Sequence, residues 1–359
     1  MSPKHLLTTV GTMNIARRYY ACRGCHATHT PWDRWAGLGD DGHQVTEQAR
    51  KVVVAVGAAW SFDRASVKLK EVCNITVSDD TIERVCQSEG ERVRQWLNRA
   101  VEPVASFVAQ PGRPEFYSDG LKINTTGGWR ELRLNLLQKR EPATPCDPAG
   151  WKNRVLPEAT IRLATCAIAD SRLVGAMWKN QSGRMGLADS RDLSVLADGA
   201  PWIWEQAARR LSPHASWCVD VFHVSQHLHG CGKQMHGEGP AARRWGDQRL
   251  EELIASGGPA FVAWLDERIQ VEADEKRREA MTGLRRYLHA NRDRMWYAQR
   301  LKSGLPIGSG PIEGACKKIG ARLKLNSARW RIKRAERFGA LLCLEYGGQE
   351  SAYWQKRAG

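Results

Sequence analysis

The sequence contains no apolar run of the roughly 18 residues that a membrane-spanning helix needs, and its start lacks the long apolar stretch of a secretory signal. Its 10 cysteines are scattered over 359 residues without a dense framework. Such scattered cysteines indicate reduced thiols rather than a disulfide scaffold. We therefore expect a cytoplasmic protein.

Several catalytic motifs are also missing. No Gly-x4-Gly-Lys-Ser/Thr is present, which argues against an ordinary P-loop ATPase, and no His-Glu-x-x-His is present, which argues against a zincin protease. The glycine-rich stretch 308–314 lacks the spacing of the dinucleotide fingerprint, and no βαβ pattern surrounds it. No repeat of solenoid length occurs.

Acidic residues are few compared with basic ones. Lys and Arg total 54 against 39 Asp and Glu, so the formal charge is +15 and the pI is near 9.6. This excess favours a polyanionic partner, nucleic acid first and an acidic membrane second. Hydrophobic residues make up 42% and include 15 Trp, which excludes a wholly disordered chain. The length allows two or three domains.

Residues 1–40 predict a partial zinc-ribbon-like segment of strands and turns. Cys22-Arg-Gly-Cys25 has the spacing of one half of a zinc ribbon. No cysteine precedes it, and His26 and His29 follow so closely that all four side chains rarely reach one tetrahedral ion. Two interpretations stay open: a degraded or truncated ribbon, and a working Zn²⁺ site at Cys22 and Cys25.

Residues 41–105 predict helices. Apolar residues recur at helical spacing, and Ser61 and Ser78 are suitable N-caps. Three short helices with a turn before the last predict a helix-turn-helix-like DNA-binding domain. An ordinary helical bundle is the alternative, because the third helix mixes Glu with Arg.

From about residue 106 the pattern changes to short alternating strands. Strands are predicted near 115–119, 129–137, 159–169, 193–198 and 215–223, with a helix over 202–211 and helices from 224 to 300. Three strands followed by strand, helix and strand predict an α/β fold, an RNase H-like mixed sheet flanked by helices. We place this core at 106–345 with a helical insertion at about 225–303, followed by a tail at 346–359.

Three acids in this region suit phosphodiester chemistry. Asp119 and Asp198 each follow an apolar strand and precede a Gly, and Glu313 would lie in the first turn of a helix that begins near Pro311. Cleavage by two divalent ions needs carboxylates from rigid elements that converge. We therefore predict that these three acids hold two Mg²⁺ or Mn²⁺ ions.

Asp220 is the alternative second acid. It is predicted to lie inside a strand that continues to His223, so Asp198 at the end of its strand is preferred. Asp220 and His223 would then support the metal ligands or contact the scissile strand. His223 and His227 share one face of a helix and are also weighed as a transition-metal pair, although such histidines are more often satisfied or exposed.

A basic run follows Glu313. Nine cations between 317 and 337 face a single acid, Glu336. A solvated helix face is the usual explanation of such a run, but its position next to Glu313 favours phosphate contacts. Trp330 within it could stack on an unpaired base. The predicted DNA-binding residues are Lys317, Lys318, Arg322, Lys324, Arg329, Arg331, Lys333 and Arg334.

Several longer segments carry a family resemblance. They are Arg18-Tyr-Tyr-Ala-Cys-Arg-Gly-Cys25, Asp119-Gly, Leu196-Ala-Asp198-Gly-Ala-Pro-Trp-Ile-Trp204, Asp220-Val-Phe-His223-Val-Ser-Gln-His227-Leu, and Gly304-Leu-Pro-Ile-Gly-Ser-Gly-Pro-Ile-Glu313-Gly-Ala-Cys-Lys-Lys. Together they resemble bacterial insertion-sequence transposases of the ISKra type, over residues 8 to 345. The resemblance implies a DDE transposase whose RNase H-like core is interrupted by a helical insertion, with its triad at Asp119, Asp198 and Glu313.

The resemblance also implies partners and an activity. DNA at the element ends and at the target would be bound, a homo-oligomer would pair two ends, and the protein would be associated with the bacterial nucleoid. Metal-dependent strand cleavage would be followed by strand transfer. Family members usually carry an earlier Cys-x-x-Cys, so we expect an N-terminally truncated copy. The alternatives are an inactive truncated transposase that only binds DNA, and an RNase H-like nuclease.

Overall fold

A computed structural model describes residues 2–36, 38 and 44–358. The chain forms two compact units, which we call the terminal unit (Met1–Pro103, Lys122–Leu132 and Lys317–Gly359) and the central unit (Val104–Leu121 and Arg133–Cys316). The strands are β1 (Ser2–Thr8), β2 (Gly11–Arg17), β3 (Tyr20–Ala21), β4 (Thr28–His29), β5 (Arg113–Thr125), β6 (Gly128–Arg140), β7 (Ile161–Ala167), β8 (Ser194–Ala197) and β9 (Ser216–Val219).

The helices follow in the same numbering. They are α1 (Pro31–Trp35), α2 (Glu47–Ala59), α3 (Phe62–Cys73), α4 (Asp79–Arg99), α5 (Val101–Ala109), α6 (Ser171–Arg184), α7 (Pro201–Arg210), α8 (Val221–His236), α9 (Pro240–Ser256), α10 (Gly258–Val271), α11 (Glu275–Asn291), α12 (Tyr297–Lys302), α13 (Gly310–Leu323), α14 (Ile332–Gly347) and α15 (Glu350–Ala358). Residues 148–153 form a short 3-10 helix. Within the described ranges, no helix is both long enough and apolar enough to cross a bilayer.

The terminal unit is built around α4. This helix packs against α2, α3 and α14. The side chain of Ser78 caps its first turn by accepting the Thr81 N–H, as the sequence predicted. Asn74, in the left-handed conformation, ends α3 four residues earlier. Separately, β1 and β2 form an antiparallel hairpin, and β3 pairs with β4.

A five-stranded sheet has the order β7-β6-β5-β8-β9; it belongs to the central unit except for residues 122–125 of β5 and 128–132 of β6, which are assigned to the terminal unit. β8 pairs parallel with both β5 and β9, whereas β6 pairs antiparallel with β7. Leu136, Val195 and Leu196 belong to its fully buried core. The predicted α/β class, with a mixed sheet and flanking helices, is confirmed at this level.

Two local predictions differ from the structure. The sequence predicts that Asp220 lies inside a strand reaching His223, but β9 ends at Val219 and Asp220 is the N-cap of α8. The reason is that the Asp220 carboxylate accepts the backbone N–H groups of the next turn, which starts a helix. Helix α6, between β7 and β8, was not predicted; its N-cap is Asp170, whose side chain accepts the Leu173 N–H.

Candidate metal centre

The register of the parallel strands brings three aspartates to one edge of the sheet. Ser118 pairs with Ala197, and Ala197 pairs with Val219. The next residue on each chain is an aspartate: Asp119, Asp198 and Asp220. Because the three strands are parallel neighbours, their aspartates follow the last paired residues at the same edge.

Asp119 is a poorly solvated carboxyl. Its strand continues to Thr125, so Asp119 marks the point where pairing with β8 stops rather than the end of β5. The Gly120 N–H donates to it at 2.7 Å, and the Cys316 thiol lies 3.5 Å from its other oxygen. Burial raises the pKa of Asp119, and the negative charge of Asp198 raises it further.

Asp198 is half-buried and retains free acceptor capacity. One of its oxygens accepts the Ala200 N–H at 2.9 Å, which forms the turn that leads into α7. The Trp204 indole N–H donates to the Asp198 backbone carbonyl at 2.8 Å and holds that turn in place. Asp198 therefore presents a fixed carboxylate with one oxygen engaged by the turn.

Asp220 is fully buried, and backbone groups surround it. Its carboxylate accepts the N–H groups of Phe222 at 3.2 Å, His223 at 3.4 Å and Ser309 at 3.0 Å. Burial raises the pKa of Asp220, and the hydrogen bonds from the Ser309 and Phe222 N–H groups partly offset that rise. The bond to Ser309 joins the start of α8 to the residue directly before α13.

Glu313 lies in the first turn of α13, where its helix position was predicted. The Ser309 hydroxyl donates to its carboxylate at 3.3 Å. Ligand atoms of Asp220, His223 and Glu313 all lie within 4.8 Å of one another, and His223 Nε2 is 3.8 Å from Asp220 Oδ2. Two carboxylates and an imidazole at this separation are a chemically suitable donor set for a divalent cation.

The predicted site residues thus form two neighbouring groups of side chains. Asp220, His223 and Glu313 form one, and Asp119 with Asp198 forms the other. Cys316 joins them, because it contacts Asp119 and lies one helical turn after Glu313. His227 is outside the first group: its ring stacks on Tyr287 with centroids 3.6 Å apart, and burial lowers its pKa.

Tyr287 on α11 was not predicted as a site residue. A Cβ on Gly199 would come within 2.3 Å of its ring, so the missing side chain after Asp198 lets the phenol approach closely. Its hydroxyl is buried without a hydrogen-bond partner among the described residues. Burial raises its pKa, and the charges of Asp198 and Asp220 raise it further. No sequence signal indicates Tyr287, since it lies on a charged helix far along the chain.

In the terminal unit, one cation of the basic run, Arg322, is buried. Arg322 is 7% exposed, lies over the rings of Phe62 and Phe338, and donates to the Gly57 carbonyl at 3.1 Å. Burial lowers its pKa to about 10. The prediction that Arg322 binds DNA is therefore corrected: its guanidinium is part of the core.

Trp330 is also unavailable to a base. Only 7% of it is exposed, its ring stacks on Phe338, and its indole N–H donates to the Leu323 carbonyl at 2.9 Å. The suggested stacking on DNA is wrong for this side chain, because α14 covers it.

The remaining cations of the run are exposed, except for the half-buried Arg337, and they divide into two sets. Lys318, Arg334 and Arg337 form ion pairs with Glu345, Glu83 and Glu91. The other set makes no ion pair within the described part of the chain; its members are Lys317, Lys324, Arg329, Arg331 and Lys333. We call this second set the unpaired cations.

Cys22 and Cys25 are exposed on one turn. The Cys22 N–H donates to Ala27 and its carbonyl accepts from His26. Backbone N–H groups of Cys25 and Gly24 lower the pKa of the Cys22 thiol. Among the residues described, no cluster of three or more metal-ligating side chains includes either cysteine.

A protein family model matches part of the chain. The family model described as Uncharacterised protein family (UPF0236) matches residues 184–356, just under half of the chain. The matched segment contains Asp198, Asp220, His223 and Glu313 but starts after Asp119. No match was found among the curated proteins.

Proposed function

We propose that this protein is a DDE-type DNA transposase, which cleaves a phosphodiester bond and transfers the freed strand with the help of divalent metal ions. The observation that carries the proposal is the strand register: on three neighbouring parallel strands an aspartate comes directly after the last paired residue, and Ser309 connects Glu313 to the same cluster. Carboxylates from rigid elements at one edge are what two-metal chemistry needs.

The sheet order supports an RNase H-like core. Along the chain, β5, β6 and β7 come first, followed by α6, β8, α7 and β9. Helices α8 to α12 then separate β9 from α13, which carries Glu313. This succession agrees with the core and helical insertion that the family resemblance implies.

Asp119, Asp198 and Glu313 are proposed as the ligands of Mg²⁺ or Mn²⁺. When bound, such ions activate the attacking oxygen and stabilise the leaving oxygen. Asp198 remains the better second acid for a reason that the sequence did not show. Asp220 uses its oxygens on three backbone N–H groups, whereas the Asp198 side chain accepts one.

Asp220 is assigned a positioning role. By accepting the Ser309 N–H it holds the residue whose hydroxyl bonds Glu313. His223, beside Asp220, would contact the scissile strand or complete the coordination of an ion. DNA is proposed as the substrate because of the net charge of +15 and the unpaired cations, which can replace counterions on phosphates.

The test compares two conservative substitutions with a control. Asp198→Asn should abolish Mg²⁺-dependent nicking of supercoiled plasmid and strand transfer from a labelled element end. Asp220→Asn keeps an oxygen acceptor for Ser309 and should leave reduced but measurable cleavage. Asp192→Asn, on an exposed acid outside the cluster, should change nothing.

The possible outcomes distinguish the roles of Asp198 and Asp220 and the alternative functions. Loss of activity in Asp220→Asn with full activity in Asp198→Asn would exchange their roles. Nicking without strand transfer would indicate the RNase H-like nuclease instead, and DNA binding without any cleavage would indicate the non-catalytic DNA-binding protein.

A further inference from the structure

A cavity lined by aromatic, apolar and basic side chains lies beside the acidic cluster, by which we mean Asp119, Asp198, Asp220 and Glu313. It occupies about 310 Å³ in the central unit, and its walls include Trp151, Phe222, Leu156 and Gly308. The rings of Trp151 and Phe222 lie 6.0 Å apart between centroids at an angle of 53°. We call it the Trp151 pocket.

The pocket lies next to Asp220, the acid that positions Glu313. Phe222 is the second residue after Asp220, and half of its surface (49%) is exposed. A Cβ on Gly308 would come 2.8 Å from the Phe222 ring and 3.4 Å from the Asp220 carboxylate. The glycine therefore lets the aromatic wall and the acid approach each other, and one residue separates them.

The polar groups around the pocket are donors. Its lining includes Arg140, Lys152 and Arg154 and, among the described residues, no acid. Arg154 donates one N–H to the Leu305 carbonyl at 2.7 Å, while its Nε and Nη2 and the Trp151 Nε1 have no hydrogen-bond partner in the part of the chain that the structure describes. Lys152 lies 6.0 Å from the Trp151 ring centroid. Acceptors and an aromatic face are the chemical complement of such a lining.

We propose that the Trp151 pocket receives the base of an unpaired nucleotide next to the phosphodiester at the acidic cluster. This rests on the proposed action on DNA. A nucleobase supplies a π face for Phe222 and Trp151 and ring acceptors for the unused donors. Its phosphate is compatible with the rim, since Arg154 makes no ion pair among the described residues and can attract it, whereas Arg140 and Lys152 already pair with Glu115 and Glu251. Enzymes that act on one nucleotide commonly extrude a base into such a cavity.

The experiment measures how much the bases contribute to binding. Two fluorescein-labelled strands of about 12 nucleotides, a length within the usual site sizes for single strands, are titrated in EDTA so that neither is cut. One is oligo-dT and the other has abasic sites at every position. Stacking of one base contributes about 1–3 kcal/mol, so wild type should prefer oligo-dT by about 5- to 150-fold.

Three variants locate that preference. Phe222→Ala and Trp151→Ala should bring the ratio of the two affinities close to one, with the affinity for the abasic strand unchanged. Phe222→Tyr keeps the ring and should keep the ratio. Val155→Ala, 83% exposed on the same connection, is the control and should behave as wild type. Thermal unfolding of each variant shows whether it is folded.

The outcomes separate this inference from the proposed function. An undiminished preference for oligo-dT in both Phe222→Ala and Trp151→Ala overturns the pocket assignment. Equal binding of both strands by wild type does so too, while leaving DNA as the substrate. If wild type binds neither strand at low salt and does not nick plasmid, the proposed function itself fails.

Discussion

Asp119 illustrates how a carboxyl suited to metal binding reduces the stability of the metal-free protein. Burial and the neighbouring charge of Asp198 raise its pKa above the ordinary 3.8. Because the folded-state pKa is the higher one, its contribution to stability is complete below pH 3.8 and is lost as the pH rises through the folded value. At neutral pH the ionised Asp119 carboxylate therefore lowers the free energy of unfolding.

We expect Asp119→Asn to raise the melting temperature of the metal-free protein at pH 7 while abolishing cleavage. A gain of 1 kcal/mol corresponds to about 2–4 °C in a domain of 150–250 residues. Added Mg²⁺ should stabilise wild type but not the variant. Asp192→Asn is the matched control. A lower melting temperature for Asp119→Asn in calorimetry would contradict the argument.

Tyr287 and Tyr297 are two tyrosines with buried hydroxyl groups to which we assign different roles, functional for Tyr287 and structural for Tyr297. The Tyr287 hydroxyl has no partner among the described residues and lies near two acids, whereas the Tyr297 hydroxyl donates to the Val219 carbonyl at 3.0 Å. We expect Tyr287→Phe to leave the melting temperature unchanged and to slow cleavage about tenfold, the value of one hydrogen bond of about 1.4 kcal/mol to bound DNA.

Tyr297→Phe is the matched comparison. It removes a buried hydrogen bond and should lower the melting temperature. If Tyr287→Phe instead destabilises the protein as much as Tyr297→Phe and cleaves DNA at the wild-type rate, the role of Tyr287 is structural.

At the scale of elements, the cations of the basic run differ in whether they already form an ion pair with an acid. Lys324, Arg329 and Arg331 are exposed and unpaired within the described residues. Replacing the three by Gln should weaken binding to all DNA sequences and lower the log–log salt slope by about 0.9 for each lost phosphate contact on duplex DNA. Affinities over a salt series for wild type and variant provide the measurement.

The control uses the paired cations of the same run. Lys318, Arg334 and Arg337 already contact Glu345, Glu83 and Glu91, so their triple Gln variant should change the slope less. The same loss of slope in both variants would mean that net charge alone governs binding. An unchanged slope in the first would move the DNA path to the helices of residues 44–98.

The boundary of β9 shows how one element end changes the interpretation of a residue. The sequence from Ser216 to His223 reads as one apolar strand, but the Asp220 carboxylate accepts N–H groups of the next turn and starts α8. Asp198 and Asp220 both follow the ends of parallel strands. Their difference lies in the number of backbone groups that each carboxylate accepts.

At the scale of the molecule, segments that are far apart in the sequence belong to the same compact unit. The last 43 residues, Lys317–Gly359, belong to the same compact unit as Met1–Pro103. The family model stops short of both the N-terminal segments and Asp119, because it starts at residue 184. Asp119 is therefore joined to the other acids by the sheet register and by Cys316, and not by the sequence match.

Local periodicity determined much of this protein. Alternating apolar residues mark β6, helical spacing marks α2 to α4, and the caps depend on near neighbours such as Ser78 and Thr81. Asp198 and Glu313 could be named for the same reason, since Asp198 directly follows β8 and Glu313 lies in the first turn of α13. Asp119 was named from the Asp-Gly pair after an apolar segment, although β5 continues through it to Thr125.

Only the tertiary structure decided which side chains face one another. Arg322 and Lys324 are two positions apart and both belong to the basic run, yet the first is enclosed by Phe62 and Phe338 and the second is exposed. Tyr287 reaches the acids because Gly199 lacks a side chain 88 residues earlier. Burial and close approach depend on partners distant in the chain, and no local pattern of residues carries that information.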